Sequence, residues 1–421
     1  MNKVMNKQHG FTLVELLVAL LIGLLLTAAI IVIYAGSQST FRASQGVSRS
    51  QEATRFAVHF LKTDIRQAGY NGCSEGVSKR STLNQFNANY IPSYEGAVFG
   101  WDFNGTNAGE TVALNYQSLT GDFTDTEIQN ARDANAGDVG DWAGQTVRGS
   151  GGAVQNATVN LPPLIQALGP LAGSDIIAVS IAEPLLSNNG VAGGPSVPVY
   201  IQPQTNKRSP TLLAVDGGGN AILTGVASGG IITVGDCSSI DTFQNSAAQG
   251  DQFFSALPAG ALSPDNNLAP GFGWQKTWDE SAQIFQQTTS VYFVGTGASG
   301  SPSLFRYSSN CGLVDPAIAP AGCQVSAVEL VEGVENMQAK YAEDTDNDGV
   351  PDQVLSANQV VDFNNVLSVE LGLLVRSVDS GLEIANAGTY VLAGDTTIDP
   401  PNDRFQRFVS NTSIRLHNRG L

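Results

Sequence analysis

The densest chemistry in this chain lies in one run, Asp344-Thr345-Asp346-Asn347-Asp348-Gly349-Val350-Pro351-Asp352. Carboxylates stand at its first, third, fifth and ninth positions and glycine at the sixth. That spacing suits a loop that wraps hard oxygen ligands around one calcium ion, the glycine permitting the sharp turn. Asp344, Asp346, Asp348 and Asp352 would each supply an oxygen, and Val350 its backbone carbonyl. The twelfth position is Leu355, so the bidentate glutamate of a full EF-hand is missing. Tyr341-Ala342 ahead of the run reads as strand, which places the loop in a β-hairpin. The competing reading is a solvated acidic turn, since Asp, Asn and Gly are also the favoured turn formers.

The cysteines are Cys73, Cys237, Cys311 and Cys323, and none forms a CxxC pair, which argues against a structural zinc site. In an exported segment, four cysteines point to two disulfides with three possible connectivities. Cys311 and Cys323 flank a proline-containing loop and are the natural local pair; Cys73, just after a long helix, is left to pin Cys237. Free buried thiols are the alternative. Gly295-Thr296-Gly297-Ala298-Ser299-Gly300 fits a dinucleotide-binding glycine pattern and follows a strand. Such a site needs a helix next, whose N-terminus holds the pyrophosphate. Pro302 and another strand-like run follow instead, so a hairpin connection is expected. Beyond residue 10 only His59 and His417 remain, neither with the flanking pattern of a Ser or Cys triad. The chain reads as non-enzymatic.

These residues sit in a chain of 421 with a net charge of −17, too acidic for a phosphate-contacting surface. At 42% hydrophobic and 14% charged it can build a core, and its 46 glycines imply many turns. The N-terminus is organised differently. Residues 1–10 carry Lys3 and Lys7; then Phe11 to Ala35 is predominantly apolar with Glu15 as its one charge, and 16–41 holds no charge. A helix of that length spans a bilayer, and the lysines should keep its start in the cytoplasm. As a cleaved secretory signal, Thr27-Ala28-Ala29 is a poor fit because the apolar run continues through Ile33. A plain anchor leaves the intramembrane carboxylate of Glu15 unexplained.

The string Gly10-Phe11-Thr12-Leu13-Val14-Glu15-Leu16 resembles the class III signal of type IV pilins and pseudopilins. The resemblance implies that a prepilin peptidase cuts between Gly10 and Phe11 and methylates Phe11. Glu15 is then the docking carboxylate: in a bundle of such helices it pairs with the α-amino group of a neighbouring subunit's first residue, because an unpaired charge in a low-dielectric setting is expensive.

Further along, Phe41, Val47, Ala53, Phe56, Ala57, Phe60, Leu61 and Ile65 recur at three- and four-residue steps. They predict an amphipathic extension of the helix, ended by Gly69, with Gly36 and Gly46 as weak points. Residues 74–300 are Gly-, Asn- and Ser-rich with short β-prone runs such as 176–181, 211–215, 231–234 and 290–294. Strands are expected at 303–307, 336–342, 366–376 and 407–416, with Val366–Arg376 central. Leu330 to Tyr341, Val366 to Arg376 and the closing Ile414-Arg415-Leu416-His417-Asn418-Arg419 are similar to PilW-type minor pilins. The likeness covers about 11–75 and 303–419.

The organisation expected is a leader (1–10), a transmembrane and polymerisation helix (11–36), its amphipathic extension (37–72) and an extracytoplasmic β-rich head (73–421). Within the head, 76–302 is a loop-rich insert region and 303–421 a pilin-like sheet. The fold class is α+β, a long helix packed on a mostly antiparallel sheet. The resemblance implies a minor pilin of the type IV pilus, acting in assembly, in a priming or tip complex, and so in adhesion or twitching motility. Implied partners are other minor pilins, the major pilin, a large tip adhesin and the prepilin peptidase. Implied locations are the bacterial inner membrane with a periplasmic head, then the pilus; calcium is the one expected cofactor. A type II secretion pseudopilin, or an anchored calcium-dependent binding protein that never polymerises, are the alternatives. N-terminal sequencing of membrane-extracted protein from peptidase-competent cells should begin at N-methyl-Phe11, with Lys3 and Lys7 lost. A chain still starting at Met1 would refute the processing.

Overall fold

The computed structural model describes residues 12–70, 72, 80–82, 84–85, 97–104, 106, 109–114, 124, 126, 141–148, 154–191, 194–256, 267–268, 273–312, 319, 322–380 and 385–418. A single helix, α1, runs from Leu13 to Gln67, about 80 Å at 1.5 Å per residue. It passes unbroken through Gly36 and Gly46, where the hydroxyls of Thr40 and Ser50 donate back to the two glycine carbonyls. From Leu13 to Tyr34 its large apolar side chains are exposed on every side. This stretch is long and apolar enough to cross a membrane.

Burial starts at Ser50 and follows one narrow face: Ala57, Leu61, Ile65 and, just past the helix, Ala68. The step of three to four residues is the helical period. This face is narrower than the sequence pattern suggests. Phe41 and Phe56 are exposed, because at about 100° per residue they point well over a third of a turn away from the face that meets the head. Helix α1 ends where the backbone turns at Gly69, whose φ is +76° and whose N–H donates to the carbonyl of Ser180.

The head contains two sheets that share one core with α1. Among the described residues the larger has ten strands. At its heart Ile176–Pro184 pairs with Val98–Phe103 on one side and with the long strand Gln283–Thr296 on the other, all antiparallel. Gln283–Thr296 in turn pairs antiparallel with Pro302–Ser309, which pairs with Val325–Glu332. The glycine pattern at 295–300 is the connection of that first hairpin, as expected. The smaller sheet runs Gln353–Ser356, Val334–Glu343, Val366–Arg376, Arg407–Arg415, also antiparallel throughout. Val366–Arg376 is one of its two central strands.

Two glycines make this arrangement possible. Gly333, at φ +89°, carries the chain from Val325–Glu332 into Val334–Glu343, and a Cβ there would stand 2.7 Å from the carbonyl oxygen of Arg376. Gly372 lies in the central strand, where a Cβ would stand 2.4 Å from the backbone nitrogen of Ala393. The missing side chain lets the hairpin Tyr390–Leu392 and Thr396–Asp399 cover the outer face, packing Leu392 and Ile398 on Leu374. Val366–Arg376 is therefore buried on both faces, which is why its apolar alternation is imperfect.

Residues between 185 and 284 form a second core of their own, built on Trp274, Trp278, Phe243 and Phe254. Trp278 donates its indole N–H to the buried Asp241 carboxylate at 2.9 Å, and Trp274 donates to the carbonyl of Ser209 at 2.6 Å. Leu61→Ala should destabilise the head by about 2–5 kcal/mol, since Leu61 is fully buried between helix and sheet. Phe56→Ala, at a side 53% exposed, should leave the melting temperature of the detergent-solubilised chain nearly unchanged. Equal effects would mean the helix face is misassigned.

Candidate functional site

The expected processing and docking residues lie at the helix start, and the expected metal ligands in the aspartate run. Gly10 and Phe11, the expected cleavage and methylation positions, lie outside the described residues. The helix start beside them is described. Thr12 caps α1: its hydroxyl accepts from the backbone N–H of Glu15 at 3.3 Å, and Glu15 Oε2 accepts from the Thr12 N–H at 3.0 Å and from the Thr12 hydroxyl at 3.1 Å. This is a capping box, two orphan donors satisfied reciprocally. It turns the Glu15 carboxylate back toward the N-terminal end of the helix, onto Thr12. The signal is present in the sequence as Thr12-x-x-Glu15.

The aspartate run joins Val334–Glu343 to Gln353–Ser356 as the connection of a hairpin closed by the pair Glu343–Gln353. Asn347 and Gly349 take positive φ, +61° and +85°, as a tight reversal requires. Asp344 is buried, and its two oxygens accept from the backbone N–H groups of Asp348 at 3.2 Å and Gly349 at 2.8 Å. Asp346 and Asp348 are exposed. One oxygen from each of Asp344, Asp346 and Asp348 lies within 4.8 Å of the others, an all-oxygen donor set that suits a hard divalent cation. Asp352 is not one of that group of three but adjoins it: its carboxylate accepts from the Asp346 backbone, and its Oδ2 accepts from the N–H of Thr345 at 2.7 Å and from the Thr345 hydroxyl at 2.5 Å. These bonds hold the Asp352 carboxyl below its usual range. Val350 is exposed and its N–H donates to Asp348 Oδ1 at 2.8 Å.

Charge within the loop is unbalanced. The Asp348 N–H pulls the Asp346 pKa down, but the neighbouring carboxylates of Asp348, Asp352 and Asp344 outweigh it and the net shift is upward. The base of the loop is fixed by Glu343, fully buried, whose oxygens accept from the backbone N–H groups of Asp362 at 2.7 Å and Val361 at 3.2 Å and from the amide of Gln353 at 3.1 Å. Nothing in the sequence pattern pointed to Glu343.

Cys311 and Cys323 form a disulfide, as the local pairing predicts. Cys237 is also disulfide-bonded; Cys73, its expected partner, lies outside the described residues. His59 and His417 stand on different elements, on α1 and just past the last strand.

Comparison with known families agrees with this geometry. Residues 291–418 match the family of type IV pilus-assembly protein W, and residues 5–31 match the prokaryotic N-terminal methylation motif. The first match spans the smaller sheet, the aspartate loop and the end of the long strand that leads to them; the second spans the capped start of α1. No curated protein and no solved structure matches the chain. The two matches, on one helix-and-sheet core, define a pilin-like protein related to the type IV pilus. Its N-terminal apolar helix and methylation motif fit a membrane-anchored subunit.

Proposed function

We propose that the chain is a minor pilin of the type IV pilus, a structural subunit that enters the filament through its N-terminal helix and contributes to assembly at a priming or tip complex. The observation that carries this reading is the joining of a methylation-motif helix to a PilW-type sheet through a single buried face, Ala57-Leu61-Ile65. The matched family is that of a type IV pilus-assembly protein, which favours a pilus over a secretion pseudopilus. Before assembly the helix would anchor the chain in the inner membrane with its head outside the cytoplasm. Its partners there would be the prepilin peptidase, other minor pilins, the major pilin and a large tip adhesin.

In this reading Glu15 takes the α-amino group of a neighbouring subunit's Phe11, and the capping box holds the carboxylate at the helix end where that group arrives. Glu15→Ala should leave membrane insertion and cleavage intact, because the apolar run and Gly10 are unchanged. Incorporation into sheared pili should fall severalfold. Wild-type incorporation would remove the docking role.

The aspartate loop would hold calcium through Asp344, Asp346 and Asp348, with the Val350 carbonyl, Asp352 and water as further oxygens. A cation there supplies the positive charge that the loop lacks. With no glutamate at the twelfth position, affinity should be weak, about 10⁻⁴ to 10⁻³ M. Without calcium, Asp346→Asn should raise the melting temperature slightly, because one of the mutually repelling carboxylates is gone. At millimolar calcium the sign should reverse, wild type gaining and the variant not. No heat of binding and no shift in wild type would leave an acidic turn.

A further inference from the structure

We propose that Asp102, Thr106 and Asp175 form a buried proton-binding site at the joint between the two sheets, and that release of its proton loosens that joint. All three side chains are buried, Asp102 being 1% and Asp175 3% exposed. Asp102 lies near the end of Val98–Phe103 and Asp175 immediately precedes Ile176–Pro184, neighbouring strands of the larger sheet.

The inference rests on counting hydrogens. The Thr106 hydroxyl oxygen stands 2.7 Å from the carbonyl of Phe103, 3.3 Å from Asp102 Oδ1 and 3.3 Å from Asp175 Oδ1. A hydroxyl has one hydrogen. The Phe103 carbonyl is nearest and can only accept, so it takes that hydrogen. Both carboxyl oxygens then face lone pairs on the Thr106 oxygen, in a site with little water to screen them. A proton on either carboxyl relieves that carboxyl's contact, because its acid O–H donates to Thr106, and it removes one of the two buried charges. The contact is satisfied with the proton and repulsive without it.

The remaining contacts show what the site holds. Asp175 Oδ1 accepts from the N–H of Phe103 at 2.9 Å, and its Oδ2 accepts from the N–H of Ala339 at 2.9 Å. Ala339 belongs to Val334–Glu343 of the smaller sheet. Asp102 Oδ2 accepts from the side-chain amide of Asn358 at 3.1 Å, just beyond Gln353–Ser356, and the Ser356 side chain also bonds Asp102. One carboxyl pair thus ties a strand of the larger sheet to two segments of the smaller.

The charged surroundings are Lys340, which draws on both carboxylates but is ion-paired with Asp395; Glu110, which repels Asp102; Glu370, which faces Lys340; and the buried phenol of Tyr341. Burial pushes Asp102 up to about 6. Asp175 is raised well above the ordinary range, by burial first and then by the charge of Asp102. The proton belongs to the pair rather than to either residue. Both pKa values are raised on folding, so the folded chain binds more protons than the unfolded one. The stabilisation is complete below the ordinary aspartate value, about 4, and is lost as pH rises through about 6 and beyond.

The test is a pH titration of full-length protein in detergent, with ¹³C-labelled aspartate carboxyls followed by infrared spectroscopy or NMR. A protonated aspartate signal should persist at neutral pH. It should move to lower pH in Asp102→Asn and in Asp175→Asn, where an amide N–H replaces the acid hydrogen. Within the titration range the wild-type folding equilibrium should fall roughly tenfold per pH unit for a fully retained proton, and Asp102→Asn should flatten that dependence. The proposal is overturned if every aspartate in the wild type ionises in the ordinary range. It is equally overturned if the folded Asn variants keep the wild-type pH profile. Should neither variant fold, the wild-type titration alone decides.

Discussion

One helix has to satisfy two solvents. Along its first half α1 exposes leucine, isoleucine and valine on all sides; along its second half the same rod buries a strip of small and aliphatic residues in the head. Because the helix does not break between them, the orientation of the head relative to the apolar half is set by how firmly the second half is held. Burial of Ala57, Leu61 and Ile65 supplies the bulk of that hold. Polar contacts fix the rotation. Tyr292 donates its phenolic hydrogen to Asp64 at 2.5 Å, and Arg306 stands 3.7 Å from the same carboxylate. His417 and Asn418 then close the helix end. The N–H of His417 donates to the Arg66 carbonyl at 3.4 Å, and the Asn418 amide reaches the carbonyls of Gln67 and Ala68 at 3.3 Å. These carbonyls are the acceptors a helix terminus leaves without intrahelical partners.

The tail can reach that position because the strand before it is locked. Arg407, at the start of Arg407–Arg415, forms paired hydrogen bonds to Glu335 at 2.6 and 2.8 Å and to Asp403 at 2.7 Å, with its side chain fully buried. Burial raises the pKa of Glu335 even against the pull of Arg407, so the ion pair is held in an environment that disfavours charge. Such a pair adds little net stability over an apolar packing, but losing one member leaves a charge stranded. Its role here is register: Arg407 opposite Arg376 fixes every later pairing, down to Ile414 opposite Val369 and the tail at the helix end.

Local chemistry made part of this legible in advance. The Gly-Phe-x-x-x-Glu signal, the apolar span, the hairpin at 295–303, the Cys311–Cys323 pair and the strands of the last third all depend on residues close in sequence or on period alone. The rest depends on partners far apart. Phe56 satisfies the helical period as well as Ala57 does, and only the position of the sheet decides which is buried. Trp274 and Trp278 announce a core somewhere, but its other walls come from Leu185, Ile201 and Phe243. Asp102 and Asp175 are separated by stretches with no shared pattern. Their proximity follows from the pairing of Val98–Phe103 with Ile176–Pro184, which no short motif encodes.

Val334–Glu343 is where these separate devices meet. Gly333 admits it from the larger sheet, Glu335 receives Arg407, and Ala339 donates to Asp175. Tyr341 packs against Phe363 with ring centres 4.9 Å apart, Glu343 grips Asp362, and Asp344 opens the aspartate loop. Every residue of this strand is buried, polar ones included. A strand so enclosed cannot shift by one residue without exchanging its two faces. The Asp102–Asp175 pair and the aspartate loop both contact this one element. Calcium would stiffen its C-terminal end, while deprotonation of the Asp102–Asp175 pair would weaken its attachment to the larger sheet. The two sets of contacts lie at different places on the same strand, Ala339 within it and Glu343 with Asp344 at its end.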